Sequence, residues 1–174
     1  TINVPTAAFT VMPIPPLFRN MPMTMTPPIS SRIRDIFPAD NVFDSIEKRI
    51  VYSSDASRHT GKLPDLMVRP TQTSQISKLL GLANHHGIPI YARGAGSGLT
   101  GGAVPIEGGI VVDFSLMNHI LKIDRNNMNA LVQPGVVVGD LQRKAQAKNL
   151  FYPPDPASSD FCTIGGNIAE NSGG

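Results

Sequence analysis

Ten residues between two apolar runs, RGAGSGLTGG at 93–102, have the composition of a loop that binds an anion. Five of the ten are glycine and another is Ala95, so side chains cover little of the main chain in this glycine loop. Glycine reaches backbone dihedrals closed to other residues and lets another molecule approach closely. Successive backbone N–H groups in such a loop form a concave site suited to a phosphate or pyrophosphate. Arg93 adds a forked cationic donor beside it.

The glycine loop contains the spacing Gly96-x-Gly98-x-x-Gly101 of the dinucleotide-binding fingerprint, and Asp113 ends the next apolar run in the position of a ribose-binding acid. In that fingerprint the glycines open a helix within a strand–helix–strand unit. Here only AVPIEG separates the loop from the next run, and its proline excludes a crossover helix. The pattern therefore predicts strand, loop and strand. A glycine-rich hairpin or exposed loop without a ligand is the alternative.

A second region with few bulky side chains covers residues 152–174. Its first part, YPPDPASSD, has too many prolines for regular structure, and its second part, CTIGGNIAENSGG, has neither helical nor strand periodicity. We call this second part, residues 162–174, the second segment, and we expect it to be poor core material but suited to lining a flat polar ligand. Ser158, Thr163 and Asn167 can hydrogen-bond such a ligand, and the paired glycines permit close approach. Two turns that join core strands are the alternative.

Composition narrows the function classes. A length of 174 residues suits one core or two small subdomains. A net charge of +2 with scattered basic residues argues against nucleic-acid binding. The single cysteine, Cys162, excludes an internal disulfide and is interpreted as a small buried thiol rather than a nucleophile. No apolar run is long enough for a membrane span.

The N-terminal residues differ from the rest. Residues 1–34 contain no acidic side chain and seven prolines, which oppose both helix and sheet. We expect residues 1–28 to be a disordered arm, or leader sequence ahead of a start near Met21, Met23 or Met25. The chain begins with threonine and ends in two glycines, so we expect a fragment.

Hydrophobic spacing between these regions predicts alternating helices and strands. The patterns favour helices at 31–37, 46–52, from Thr71 or Thr73 to His86, and 138–148, and strands at 64–70, 88–92, 109–114, 120–124 and 130–133. In the second of these helices Ile46, Ile50 and Val51 share a face. His85 and His86 are interpreted as residues of a helix end rather than as metal ligands, and DASRHTGK at 55–62 as a solvated loop.

No metal-binding or nucleophile motif is present in the sequence. The residues by themselves thus indicate a site for a pyrophosphate-bearing cofactor.

Four stretches, PDLMVRPTQTSQISKLL, RGAGSGLTGG, ALVQPGVVVGDLQ and YPPDPASSDFCTIGGNIAENSGG, resemble in order and spacing the family that contains the FAD-linked glycolate oxidases and D-lactate dehydrogenases. These enzymes have the PCMH-type, vanillyl-alcohol-oxidase-like fold. The resemblance covers about residues 29–174. It implies an α+β fold of two small α/β subdomains, the first at 29–102 and the second starting at 103 and incomplete at 174, with FAD in the cleft between them.

The resemblance also implies which residues contact FAD. In the glycine loop, which would wrap the pyrophosphate, they are Arg93, Gly94, Ala95, Gly96, Ser97, Gly98, Gly101 and Gly102. Beside the cofactor and towards its isoalloxazine they are Pro134, Gly135, Pro154, Asp155, Ser158, Thr163, Gly165, Gly166, Asn167, Ala169 and Gly173. Relatives with covalent flavin carry a histidine near the position of Ser97, so non-covalent FAD is expected.

The function implied is that of the FAD-binding part of an enzyme that oxidises a D-2-hydroxy acid, such as glycolate or D-lactate, by hydride transfer to FAD. Its substrate-binding and catalytic residues would lie beyond residue 174. The resemblance further implies a cytoplasmic protein, or one held at the inner membrane by a partner, with an electron-transfer partner protein or a quinone as acceptor and no nucleic-acid partner. A non-catalytic flavin- or nucleotide-binding module, or an inactive fragment, is the alternative. The NIAENSGG ending argues against a flavin reductase of UDP-sugars.

Overall fold

The structure is a computed structural model that describes residues 27–173. The predicted arm at 1–28 therefore falls outside the described residues, except for its last two, which open the first helix. The described helices are α1 Pro27–Arg34, α2 Ile46–Arg49, α3 Thr73–His86, α4 Val138–Gln146 and α5 Ile164–Ala169. The strands are β1 Val42–Phe43, β2 Leu66–Val68, β3 Ile90–Arg93, β4 Ile110–Asp113, β5 Ile120–Asp124 and β6 Asn129–Val132.

Four of the strands form one sheet in the order β1-β2-β4-β3. Strand β4 pairs in parallel with both β2 and β3, and β1 pairs antiparallel with β2. All residues of β2 and β4 are buried, in keeping with their apolar sequences, because parallel strands are covered on both faces. Each parallel strand therefore ends at the same edge of the sheet.

The connection from β3 to β4 confirms the predicted strand, loop and strand. No helix lies between Arg93 and Ile110, so the dinucleotide-binding unit is excluded. The two strands are parallel, however, and a tight hairpin joins only antiparallel strands. The hairpin alternative is therefore wrong, and the glycine loop crosses the sheet edge.

Helix α3 joins β2 to β3 and ends as predicted at Gly87, which has the left-handed dihedrals φ 64° and ψ 28°. Its start differs from the predicted Thr71 or Thr73 cap. The N-cap is Gln72, and the Gln75 side chain accepts hydrogen bonds from the backbone N–H groups of Thr71 and Gln72 at 2.8 and 3.2 Å. Gln75, the third residue of the helix, thus bonds back to the backbone of the N-cap, as the last residue of a capping box does.

The first hydrophobic core lies between this sheet and helices α1 and α3. It consists of Ile33, Phe37, Val42, Leu66, Val68, Leu79, Ile110 and Val112. The predicted helix at 46–52 exists as α2 and a following 3-10 turn, but its shared apolar face is not part of this core. Ile46, Ile50 and Val51 are each more than half exposed.

The second core belongs to the part of the chain after β4. Strands β5 and β6 form an antiparallel pair, and α4 and α5 pack beside them around Val136, Val138, Leu141, Tyr152, Cys162 and Ile164. The burial of Cys162 confirms its interpretation as a buried thiol. The expectation that the second segment is poor core material is wrong, because α5 forms within it and Thr163, Ile164 and Asn167 are buried. Glycine and isoleucine spacing over six residues is too short to show a helical period.

The fold is α+β, as expected. The division into subdomains stays a prediction. The sheet and the first core both include β4, which lies beyond residue 102.

Candidate functional site

The carboxyl edge of the parallel strands is built around a buried carboxylate. Asp113, at the end of β4, is only 5% exposed. Its Oδ2 accepts hydrogen bonds from the Tyr52 hydroxyl at 2.7 Å and from Arg69 Nε at 3.1 Å, and its Oδ1 accepts one from the Ser115 N–H at 2.8 Å. Burial, more than the hydrogen bonds, raises the pKa of Tyr52 above its ordinary value. Asp113 therefore holds the sheet edge together and is not open to a ribose.

At two positions of the loop the backbone conformation requires glycine. Gly96 and Gly101 have φ of +70° and +80°, a region that side chains disfavour. Gly94 is required by packing instead, because a Cβ at that position would overlap Thr163 Oγ1. A Cβ at Gly102 would come within 2.7 Å of Glu170 Oε1.

Gly98 is different. Its φ is not in the left-handed region, and the nearest atom to an added Cβ is Glu170 Oε1, at an ordinary contact distance of 3.7 Å. In the second segment Gly166 is similarly open, and Gly173 has nothing within 4 Å. Neither packing nor backbone conformation explains these three glycines, whereas close approach of another molecule would.

The structure brings the two glycine-rich segments together. Gly94 rests on Thr163, and the Thr100 hydroxyl donates a 2.7 Å hydrogen bond to Glu170 Oε2 at the end of α5. The segments lie far apart in sequence, so their contact is a product of the fold. The residues of the glycine loop are half-buried or exposed, and in the second segment Gly165, Gly166 and residues 168–173 are too, whereas 162–164 and Asn167 are buried.

Two residues predicted to bond a ligand are buried, and one of them, Asn167, already has hydrogen-bond partners within the protein. Asn167 Oδ1 accepts a 3.0 Å hydrogen bond from the Tyr152 hydroxyl, and its Nδ2 donates to the Ser172 carbonyl. Burial raises the pKa of Tyr152. Thr163 Oγ1 is buried beneath Gly94 with no hydrogen-bond partner among the described residues. Asn167 thus supports the second segment through hydrogen bonds, and Thr163 supports the glycine loop by packing against Gly94.

The other predicted positions surround these. Pro134 and Gly135 lie between the turn after β4 and the start of α5: the Gly135 N–H donates to Met117 O, and Pro134 O accepts from Gly165 N–H. Asp155 N–H donates to Gly173 O at 3.0 Å, which ties the proline-rich stretch to the end of the second segment.

Of the remaining predicted residues, Pro154 O accepts from Gln142 Nε2 and Ser158 O from Cys162 N–H. Ser97 is half-buried, whereas Ala95 and Ala169 are exposed. None of these positions lies in a fully buried part of the molecule.

The residues that sequence reasoning missed lie in the polar segment 53–62. The Ala56 N–H donates to Gly96 O at 2.9 Å, and Arg93 Nη1 donates to Ser54 O at 2.6 Å. The exposed His59 ring lies against Gly101, where an added Cβ would come within 2.7 Å of its Cδ2. The loop predicted as simply solvated is therefore one wall of the glycine loop, and nothing in its composition indicates that contact.

Within residues 27–173 no group of three or more His, Cys, Asp or Glu side chains could hold a metal ion. Nor does that part of the chain contain a helix with the length and apolar character needed to cross a membrane.

Comparison with known proteins gives consistent relatives. The family described as FAD binding domain matches residues 64–174. The chain is 45% identical over 150 residues to glycolate oxidase subunit GlcD of Bacillus subtilis, covering 86% of this chain and 32% of that protein. It is 36% identical to D-lactate dehydrogenase of Anaerostipes hadrus, and 33% identical to D-2-hydroxyglutarate dehydrogenase of Stutzerimonas stutzeri, covering 86% and 85% of this chain and 31% and 32% of those proteins.

Solved structures match over a similar share of this chain at lower sequence identity. Alkyldihydroxyacetonephosphate synthase superposes with a TM-score of 0.78 at 27% identity, over 87% of this chain and 33% of that one. p-Cresol methylhydroxylase does so with a TM-score of 0.70 at 27% identity, over 85% and 30%. The chain thus spans about a third of the length of the proteins that it matches.

Proposed function

The chain belongs to the FAD binding domain family, and from that premise we propose that it is the FAD-binding part of an oxidoreductase acting on a D-2-hydroxy acid. FAD is the cofactor of this family, and its relatives include oxidoreductases named for glycolate, D-lactate and D-2-hydroxyglutarate.

One observation carries the assignment to this surface: the glycine loop and the second segment meet, and three of their glycines are left open. Gly98, Gly166 and Gly173 have no internal reason to lack a side chain. The backbone around them can approach a diphosphate and offer it N–H donors. The residues present therefore fit a long, flat, diphosphate-bearing cofactor.

We propose that some of the residues of the sequence prediction face the cofactor and that others support them. Gly98 and its loop neighbours would face the diphosphate, and Gly166 and Gly173 the remainder of FAD. Thr163, Asn167, Pro134 and Gly135 would act by holding these backbones in place.

Glu170 restricts where the diphosphate can lie. Its carboxylate is beside Gly98 and Gly102 and accepts from Thr100. Two like unit charges about 4 Å apart repel by roughly 4 kcal/mol at an effective dielectric constant of about 20. The charged oxygens of a diphosphate at Gly98 are therefore expected to turn away from Glu170 and towards the backbone N–H groups of the loop, and the Glu170 oxygens remain available to hydroxyl groups of the ligand.

When bound, FAD accepts the hydride, while the protein orients substrate and cofactor. The family resemblance implies a histidine near the position of Ser97 in relatives with covalent flavin, so non-covalent FAD is proposed. The electron acceptor, either a partner protein or a quinone, and the cellular location stay predictions.

The test is the visible absorption spectrum of the full-length protein and of the 174-residue chain, each with added FAD. We expect a structured flavin band in the full-length protein that D-2-hydroxy acids bleach under anaerobic conditions. A bound flavin that no D-2-hydroxy acid bleaches would instead support the non-catalytic alternative. Absence of flavin binding by the full-length protein would refute the assignment.

A further inference from the structure

We propose that Arg93 is a positioning residue for the cofactor site: it fixes the glycine loop against the segment 53–62 and does not itself bind the diphosphate. This inference rests on the proposed function and changes the role that the sequence predicts for Arg93. It also assigns a function to a segment that no sequence motif identifies.

The guanidinium of Arg93 is already engaged on its edge and on its face. Nη1 donates to the Ser54 carbonyl at 2.6 Å, and the planar group lies 5.2 Å from the centre of the Tyr52 ring. Nη2 lies against Gly96, where an added Cβ would overlap it. A guanidinium stacked on a ring can offer only its edge to hydrogen-bond acceptors, and on this edge Nη1 is bonded to Ser54 O while Nη2 is turned towards Gly96.

Tyr52 is a fixed support for that stack. Its hydroxyl is held by Asp113 and Arg69 at the sheet edge, at 2.7 and 3.2 Å. Arg93 therefore links the rigid end of the sheet to the loop that follows it, since it is also the last residue of β3.

The segment 53–62 is shaped to receive this contact. Ser54 and Thr60 form an antiparallel bridge that closes the segment on itself. The Ala56 N–H then bonds Gly96 O, and the Lys62 N–H bonds Pro105 O at 2.8 Å. The segment thus holds the glycine loop at its middle and the chain just beyond its end, and Arg93 holds the start of the loop.

The first experiment separates charge from geometry. FAD dissociation constants are measured over a range of salt concentrations for the full-length protein and its R93K and R93Q variants. Positioning predicts that both variants weaken FAD binding by about tenfold with an unchanged salt dependence, since neither side chain can both stack and fork. Near-normal affinity in R93K, with a loss of affinity and a shallower salt dependence in R93Q, would show a direct charge contact and overturn the proposal.

A second experiment needs no cofactor. Hydrogen exchange of the Ala56 amide reports the hydrogen bond to Gly96, and we expect it to speed up in both variants while exchange in β4 stays unchanged. Unaltered exchange at Ala56 would show that Arg93 does not hold the two segments together.

The double variant R93A/G96A provides the control for general damage. Because an added Cβ at Gly96 would meet the Arg93 guanidinium, G96A should weaken FAD binding less when Arg93 is already alanine. Strictly additive losses would contradict the contact. Failure of the unmodified full-length protein to bind FAD would refute the proposed function itself, whereas these variant patterns test Arg93 alone.

Discussion

The glycine loop and the second segment have similar compositions, but glycine serves different purposes in them. In the loop, Gly96 and Gly101 are set by backbone dihedrals and Gly94 by its contact with Thr163. In the second segment a short helix with buried side chains supplies the rigidity, and Gly166 and Gly173 are open. A glycine-rich stretch is thus a mixture of structural positions and open ones, and only the open ones are candidates for a ligand surface.

Gly98, the open glycine of the glycine loop, gives the strongest test of the distinction between structural and open glycines. We expect Gly98→Asp to weaken FAD binding by about 100-fold, or about 2.7 kcal/mol, because it adds bulk and a negative charge beside a diphosphate. Equilibrium titration of FAD into the full-length protein measures this. Gly98→Ala is the matched control and should leave the free energy of unfolding unchanged, since its Cβ has room. Unchanged FAD affinity in Gly98→Asp would remove the glycine loop from the site.

Gly94 should show the opposite pattern, a loss of stability that precedes any loss of binding. Gly94→Ala places a Cβ on Thr163 Oγ1, and overpacking of this kind typically costs about 1–3 kcal/mol. Urea unfolding measures the change. Adding Thr163→Ala removes the overlapping hydroxyl and should restore most of the stability. A double variant no more stable than Gly94→Ala would show that the two segments are not in contact there.

Behind the second segment, Tyr152→Phe should destabilise the protein by about 1–2 kcal/mol, because it leaves the buried Asn167 Oδ1 without its donor. Tyr52→Phe is the matched change at the sheet edge. It should cost less, since Asp113 keeps its hydrogen bonds from Arg69 and Ser115. Thermal unfolding of the two variants compares them, and an equal or reversed order would contradict this account.

The smallest effect is on the pH dependence of stability. Burial raises the pKa of both Tyr52 and Tyr152, so the folded protein keeps these protons to higher pH than the unfolded chain does. Their contribution to stability is complete below the unfolded pKa of about 10 and is lost as the pH rises through the folded values. Stability measured from about pH 8 to about pH 11 should fall less steeply in each Phe variant. An identical slope in a variant would exclude that tyrosine as the cause.

Local sequence determined much of the fold. Apolar runs located β2, β4 and β5, periodicity located α3 and α4, and Gly87 located the end of α3. Pro105 and the short spacing to Gly109 were enough to exclude a crossover helix after the glycine loop. These features depend on residues close together in the chain, so they can be predicted from the sequence without a structure.

Only the tertiary structure showed which contacts each candidate residue makes. Strands β3 and β4 pair in parallel, so the glycine loop starts at the carboxyl edge of the sheet. The packing of α5 brings Thr163 and Glu170 into contact with this loop. Asn167, which has the right chemistry to bind a ligand, is buried and hydrogen-bonded to Tyr152. The polar segment 53–62 instead contacts the glycine loop. Contacts between positions far apart in the chain leave no local pattern, so the sequence could propose candidate residues but could not show which of them have their polar atoms bonded inside the protein.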